Sequence, residues 1–324
     1  MIMEKMDRRE SPLISTDVAL QMINDDQVVL LDATIDKVNE KMDRDRLELI
    51  PGSLFFDIEG SFSDHGSVYP HTMVDAAIFE REARKLGINQ GDKVIVYDRW
   101  GIYSSPRAWW MFKLMGVEEV YVLRGGLPAW KAAGLPIVDA YREVAGLEGD
   151  FVAREDKDWM IGTEDLMERL GKDGQMIVDA RSEGRFHGTS PEPRAGLKSG
   201  HIPGSKNIPF DRVLDGIDYK EDEELSRIFE GKLVSDGNLG LEGKLGLEGT
   251  MVSEEKLMSE NVLDDDSKPI GNKPIGNRNI FTCGSGVSAA ILALAAYHLG
   301  SRNVAVYDGS WSEWGAREDT QIER

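Results

Sequence analysis

The sequence predicts an α/β protein built of two tandem domains, each a parallel sheet flanked by helices. Three observations carry this. At 324 residues the chain exceeds what one hydrophobic core usually serves. A set of motifs occurs twice, in the same order, as in a duplicated chain. Within each half, short β-branched runs alternate with helical stretches, the pattern of a sheet covered on both faces.

The first half reads VVLLDAT at 28–34, IPGS at 50–53, VIVYDRWGIYSSPRAWWMFKLMG at 94–116 and VYVLRGGLPAW at 120–130. The second reads MIVDAR at 176–181, IPGS at 202–205, NIFTCGSGVSAAILALAAYHLG at 279–300 and VAVYDGSWSEW at 304–314. Val28 to Leu31, Val94 to Tyr97, Ile177 to Val178, Asn279 to Thr282 and Val304 to Tyr307 are expected as buried parallel strands. Thr72 with Asp75 three residues on suggests a capping box. A helix with an apolar stripe of Val74, Ala77, Ile78 and Leu86 should follow and end at Gly87. Val287 to Leu299 is an apolar helix closed by Gly300. The expected division is a non-catalytic domain at 1–140, a charged linker at 141–156 and a catalytic domain at 157–324. The second copy carries an insertion at about 231–278, where LGLEG and KPIGN each occur twice. Rich in glycine and charge, it can bury little apolar surface and is expected as a solvated loop without a catalytic role.

Composition removes several function classes. A formal charge of −20 repels nucleic-acid backbones and anionic membrane surfaces. No apolar run approaches the roughly 20 residues of a membrane span, and the first ten residues carry acids foreign to secretory or transit peptides. The expectation is an intracellular protein that binds neither nucleic acid nor membrane. One cysteine can form neither an internal disulfide nor a cysteine-based metal cluster, so no metal or cofactor is expected.

That cysteine, Cys283, sits in FTCGSGVSAA between a strand and a helix. A helix N-terminus offers unsatisfied N–H groups and a positive dipole end, and Gly284 and Gly286 let the backbone curl around an anion. A thiol in such a cradle reacts as thiolate. An arbitrary lone cysteine is more often a small buried apolar residue, but the glycines favour the reactive reading. The repeat supplies an internal control: Asp98 stands at the matching place in the first half, so only one copy keeps a nucleophile.

With these motifs in place the chain resembles the tandem rhodanese-domain sulfurtransferases. CGSGVSA, GRFHGTSPEPR and YDGSWSEW are similar to the 3-mercaptopyruvate sulfurtransferase branch. The resemblance implies that the loop Cys283 to Ser288, including Gly284, Gly286, Val287 and Ser288, holds a persulfide made from a small-molecule sulfur donor. It implies that Arg185 and Arg194 bind the donor's carboxylate, as planar, permanently charged guanidinium groups can. It also implies a proton relay from Ser285 to His71 and on to Glu59 or Asp57, and a role for Tyr103 across the cleft. His201 in GHIPGS reads as a structural turn residue.

Neutral Gly284 and Ser285 suit 3-mercaptopyruvate better than the thiosulfate dianion, for which the family places basic residues after the cysteine. Thiosulfate remains the alternative donor. The acceptors implied are small thiols or thioredoxin, or a sulfur-relay partner such as a tRNA-thiolation activating enzyme. A cytoplasmic location is expected, with the mitochondrion as alternative. A phosphatase of related fold would need an arginine six residues beyond the cysteine; Ala289 stands there.

Overall fold

The computed structural model describes residues 11–43, 46–144, 146, 148–234 and 277–324. Most of the repeat-rich insertion lies outside the described residues.

The first half contains β1 (Leu13–Ile14), α1 (Thr16–Met22), β2 (Val28–Asp32), β3 (Leu54–Phe55), α2 (Ala76–Lys85), β4 (Lys93–Tyr97), α3 (Ser105–Leu114), β5 (Val120–Leu123) and α4 (Gly126–Ala132). Its strands form a parallel sheet in the order β1-β5-β4-β2-β3. The second half adds β6 (Met160–Ile161), α5 (Thr163–Arg169), β7 (Gln175–Asp179), α6 (Glu183–Phe186) and β8 (Lys206–Asn207). A hairpin follows, β9 (Leu214–Asp215) with β10 (Asp218–Tyr219), then α7 (Asp222–Phe229), β11 (Arg278–Thr282), α8 (Val287–His298), β12 (Val304–Tyr307) and α9 (Ser310–Trp314). Its parallel sheet runs β6-β12-β11-β7-β8, the same winding. The chain therefore consists of two parallel-sheet domains flanked by helices.

Valine, isoleucine and leucine fill β2 and β4 because helices cover both faces of the sheet, leaving no strand face for water. Apolar side chains of α3 and α8 share one core cluster with residues of both sheets, and the two helices pack on each other. In α8 every residue from Ala289 to Ala296 is buried, as expected of a helix apolar on all sides. Separate clusters cover the far faces, around Ile95 and Trp130 in the first sheet and Ile280 and Trp314 in the second. The loop that begins at Cys283 thus lies at the end of a helix wedged between the halves.

One element starts later than expected. The N-cap of α2 is Asp75, whose carboxylate accepts the Ile78 N–H, while Thr72 Oγ1 donates to Ser67 Oγ (2.7 Å). The buried face of α2 is Phe79 and Ala83, with Ala77 exposed. A Thr-x-x-Asp spacing fits a cap, but the side chain that meets the free amides decides which residue it is. Gly87 does end the helix, at φ +74°. Residues of the segment 141–156 lie along the first half: Arg142 N–H donates to Ser53 O (2.8 Å) and Arg154 N–H to Met115 O (3.0 Å), and Phe151 joins the core.

Candidate active site

Strand β11 delivers Cys283 to the start of α8. Gly286, the N-cap, adopts φ +82°, and a Cβ there would stand 2.7 Å from Arg107 Nη1 and 3.3 Å from the Asp308 carbonyl. Only glycine fits both the conformation and the space. The Gly286 N–H donates to Cys283 Sγ (3.1 Å), and no side chain caps α8, so its first turn faces the thiol as an anion cradle. The GSWSEW turn braces the loop from behind. Cys283 N–H donates to Ser310 Oγ (3.2 Å), Trp311 N–H to Cys283 O (2.9 Å), and Ser312 Oγ to Gly284 O (2.6 Å).

Ser285 reaches into the other half. Its Oγ is 2.9 Å from His71 Nδ1, and His71 Nε2 is 3.5 Å from Glu59 Oε1. An ionised Glu59 only accepts, which assigns the imidazole proton to Nε2 and makes Ser285 the donor to Nδ1. Asp57 turns away: its carboxylate accepts the Gly60 N–H (3.0 Å). His71 sits at φ +60°, a left-handed conformation that costs a non-glycine residue about 1 to 3 kcal/mol and must be held by its surroundings.

A cavity of about 460 Å³ opens over the thiol, lined by Cys283, Gly284, Ser285, Val287 and Ser288, with Tyr103, Arg185 and Arg194 on its walls. The Arg185 guanidinium lies over Gly284, its Nη2 3.1 Å from where a Cβ would be. Its Nε and Nη2 donate to Glu192 Oε2 (3.1 and 2.6 Å), and the other oxygen of that carboxylate accepts from Arg181 Nη1 (2.8 Å). Arg194 Nη1 is 3.4 Å from Ser312 Oγ. Burial pushes the Arg194 guanidinium down, with the charge of Cys283 opposing it. Tyr103 is pushed up to about 12, first by burial and then by the charge of Cys283, so it is a neutral hydroxyl at ordinary pH.

The fold thus brings the expected residues to one place, Cys283, Arg185 and Arg194 from the second half and His71, Glu59 and Tyr103 from the first. His201 is buried and stacked on Phe186 at 3.7 Å and does not line the cavity. Sequence reasoning missed three charged residues: Glu192 beneath the arginines, and the buried pair Arg107 and Asp308. A single charge inside the apolar run SSPRAWWMF was the available signal for Arg107. Among the described residues no cluster of His, Cys, Asp or Glu is placed to hold a metal ion, and no helix is long and apolar enough to cross a membrane.

Comparison with known proteins agrees with this architecture. The family described as Rhodanese-like domain matches residues 15–133. A 3-mercaptopyruvate sulfurtransferase of Escherichia coli K12 is 34% identical over 315 residues, covering 96% of this chain and 97% of the relative. A protein of Arabidopsis thaliana named thiosulfate/3-mercaptopyruvate sulfurtransferase 1, mitochondrial, is 32% identical over 335 residues, covering 96% and 78%. The crystal structure of an E. coli 3-mercaptopyruvate sulfotransferase, SseA, superposes with a TM-score of 0.71 at 31% identity, covering 93% of this chain and 99% of that one.

Proposed function

The chain belongs to the tandem rhodanese-domain sulfurtransferases, enzymes that move sulfur through a cysteine persulfide, and from that premise we propose that it takes its sulfur from 3-mercaptopyruvate on Cys283. The observation that carries the donor is the pair of guanidinium groups, Arg185 and Arg194, on the walls of the cavity that holds the thiol. A 2-keto carboxylate offers them a planar partner, while the neutral Gly284 and Ser285 beside the sulfur give a dianion little to hold.

In this reading the Cys283 thiolate attacks the donor's sulfur. The carbon–sulfur bond breaks with its electron pair on the methylene carbon, leaving the enolate of pyruvate. A proton must reach that carbon, and the donor's own S–H supplies one through Ser285 Oγ and His71 Nδ1, with Glu59 steadying the imidazole. The products are pyruvate and a deprotonated persulfide on Cys283. Once that persulfide is protonated, an acceptor thiolate attacks its outer sulfur, forming a new persulfide and releasing the Cys283 thiolate. Small thiols and thioredoxin are the acceptors proposed, in a cytoplasmic or mitochondrial setting.

The test compares two donors on one variant. Loss of a charged hydrogen bond to a carboxylate is worth about 1.5 to 3 kcal/mol, so Arg185→Ala should lower kcat/KM for 3-mercaptopyruvate roughly 10- to 100-fold. Thiosulfate, with no carboxylate, should lose less. Equal losses for both donors would remove Arg185 from substrate reading.

A further inference from the structure

The buried ion pair of Arg107 and Asp308 has no part in the steps above, yet it joins the two halves at the catalytic groups. Arg107 comes from α3 and Asp308 follows β12. Arg107 Nη2 donates to Asp308 Oδ1 (2.6 Å) and to the His71 carbonyl (2.7 Å), while Asp308 Oδ2 accepts the Met73 N–H (2.8 Å). The pair therefore grips the backbone on both sides of Thr72, next to the residue held at φ +60°. On its other side Arg107 presents Nη1, a buried donor without a hydrogen-bond partner, against Gly286, whose amide donates to Cys283 Sγ.

A buried ion pair adds little net stability over an apolar replacement of similar volume, so the fold alone gives weak reason to keep one. A left-handed histidine, by contrast, needs an external restraint, and this pair supplies it from both directions. We propose that Arg107 and Asp308 are positioning residues for sulfur transfer: they hold His71 on Ser285 and back the loop at Gly286, so the proton relay exists only where the two halves meet. The proposal rests on the reading of Ser285, His71 and Glu59 as that relay.

A double-mutant cycle on the full chain tests it, with pyruvate release from 3-mercaptopyruvate as readout and the rate of Cys283 alkylation by iodoacetamide as a check on the thiol. His71→Ala should lower kcat about 100-fold or more, the usual worth of a general acid or base. Asp308→Asn should lower kcat about 10-fold or more with KM little changed. The double variant should be no slower than His71→Ala alone within about 3-fold, because both changes remove the same relay. Additive losses, or full activity in Asp308→Asn, would overturn the clamp while leaving the relay standing. An unaltered kcat in His71→Ala would instead overturn the relay reading and the clamp with it. If Asp308→Asn does not fold, Arg107→Lys, which keeps the charge but loses the two-way fork, takes its place in the cycle with the same expected outcomes.

Discussion

Two strand-to-helix loops occupy the same place in the two sheets, one after β4 beginning at Asp98 and one after β11 beginning at Cys283. In the first, the cradle is already filled. Asp98 Oδ2 accepts the N–H groups of Tyr103 (2.9 Å), Ser104 (3.0 Å) and Ser105 (2.9 Å) and the Ser105 hydroxyl (2.7 Å), and Oδ1 accepts the Trp100 N–H (3.0 Å). Burial pushes this carboxyl up while those donors pull it down. The hairpin of the second half then covers the loop, so closely that a Cβ at Gly101 would run into the Ile217 carbonyl. In the second loop the sulfur receives the Gly286 amide, a cavity opens above it, and the opposite half contributes His71 rather than a cover. One fold thus makes a sealed structural joint from a carboxylate and an open reactive site from a thiol.

The largest expected effect removes the difference at its source. Cys283→Ser should abolish persulfide formation, because a hydroxyl lacks the nucleophilicity and sulfur affinity of a thiolate. Intact-protein mass spectrometry after donor treatment should find one added sulfur on the parent and none on the variant.

The converse change tests whether the first loop is closed as well as unreactive. Asp98→Cys in a Cys283→Ser background should gain no sulfur, since the hairpin covers the first loop while the donor cavity is lined by Cys283. It should also lose stability, about 1 to 3 kcal/mol for each buried donor left without an acceptor, read as a lowered denaturation midpoint. Sulfur on that variant would show that a thiol in the cradle suffices without the open cavity.

A smaller effect concerns charge in the reactive loop. Gly284→Arg with Ser285→Lys should raise kcat/KM for thiosulfate and lower turnover of 3-mercaptopyruvate. The new arginine meets the Arg185 guanidinium over Gly284, and Ser285 leaves the proposed relay. A variant that speeds both donors equally would mean that loop charge does not select between them.

The smallest effect links the loops electrically. Tyr103 lies in the first loop and is held near 12 by burial, with the charge of Cys283 second. Cys283→Ser should therefore lower its alkaline absorbance transition slightly, leaving most of the shift. The folded state keeps a proton here that the unfolded chain gives up above about pH 10. Stability should therefore fall as pH rises from there through about 12.

Much of this was legible in the sequence because duplication repeats its own punctuation. The motif order placed the inner strands β2, β4, β7 and β11 together with β12, the glycines around Cys283 marked the loop, and the change from Cys283 to Asp98 distinguished the halves, while β1, β3, β5, β6 and β8 were not foreseen. The start of α2 was misplaced because Thr72 and Asp75 are both chemically fit to cap, and only the path of the chain selects one. Arg107 and Asp308 were missed for a related reason: each matters through a partner 201 residues away along the chain. Nothing in local composition records such a partnership.

The sequence by itself determined the two sheets and the cysteine at a helix start, since periodicity and glycine placement are local properties, whereas the arginines of GRFHGTSPEPR stood out only through the family resemblance. Only the tertiary structure turns the Glu59 carboxylate to the imidazole and that of Asp57 to the Gly60 amide. It also decided that a histidine from one half meets a serine from the other, because such a contact depends on how α3 and α8 dock, and docking is a property of two surfaces rather than of either stretch of chain.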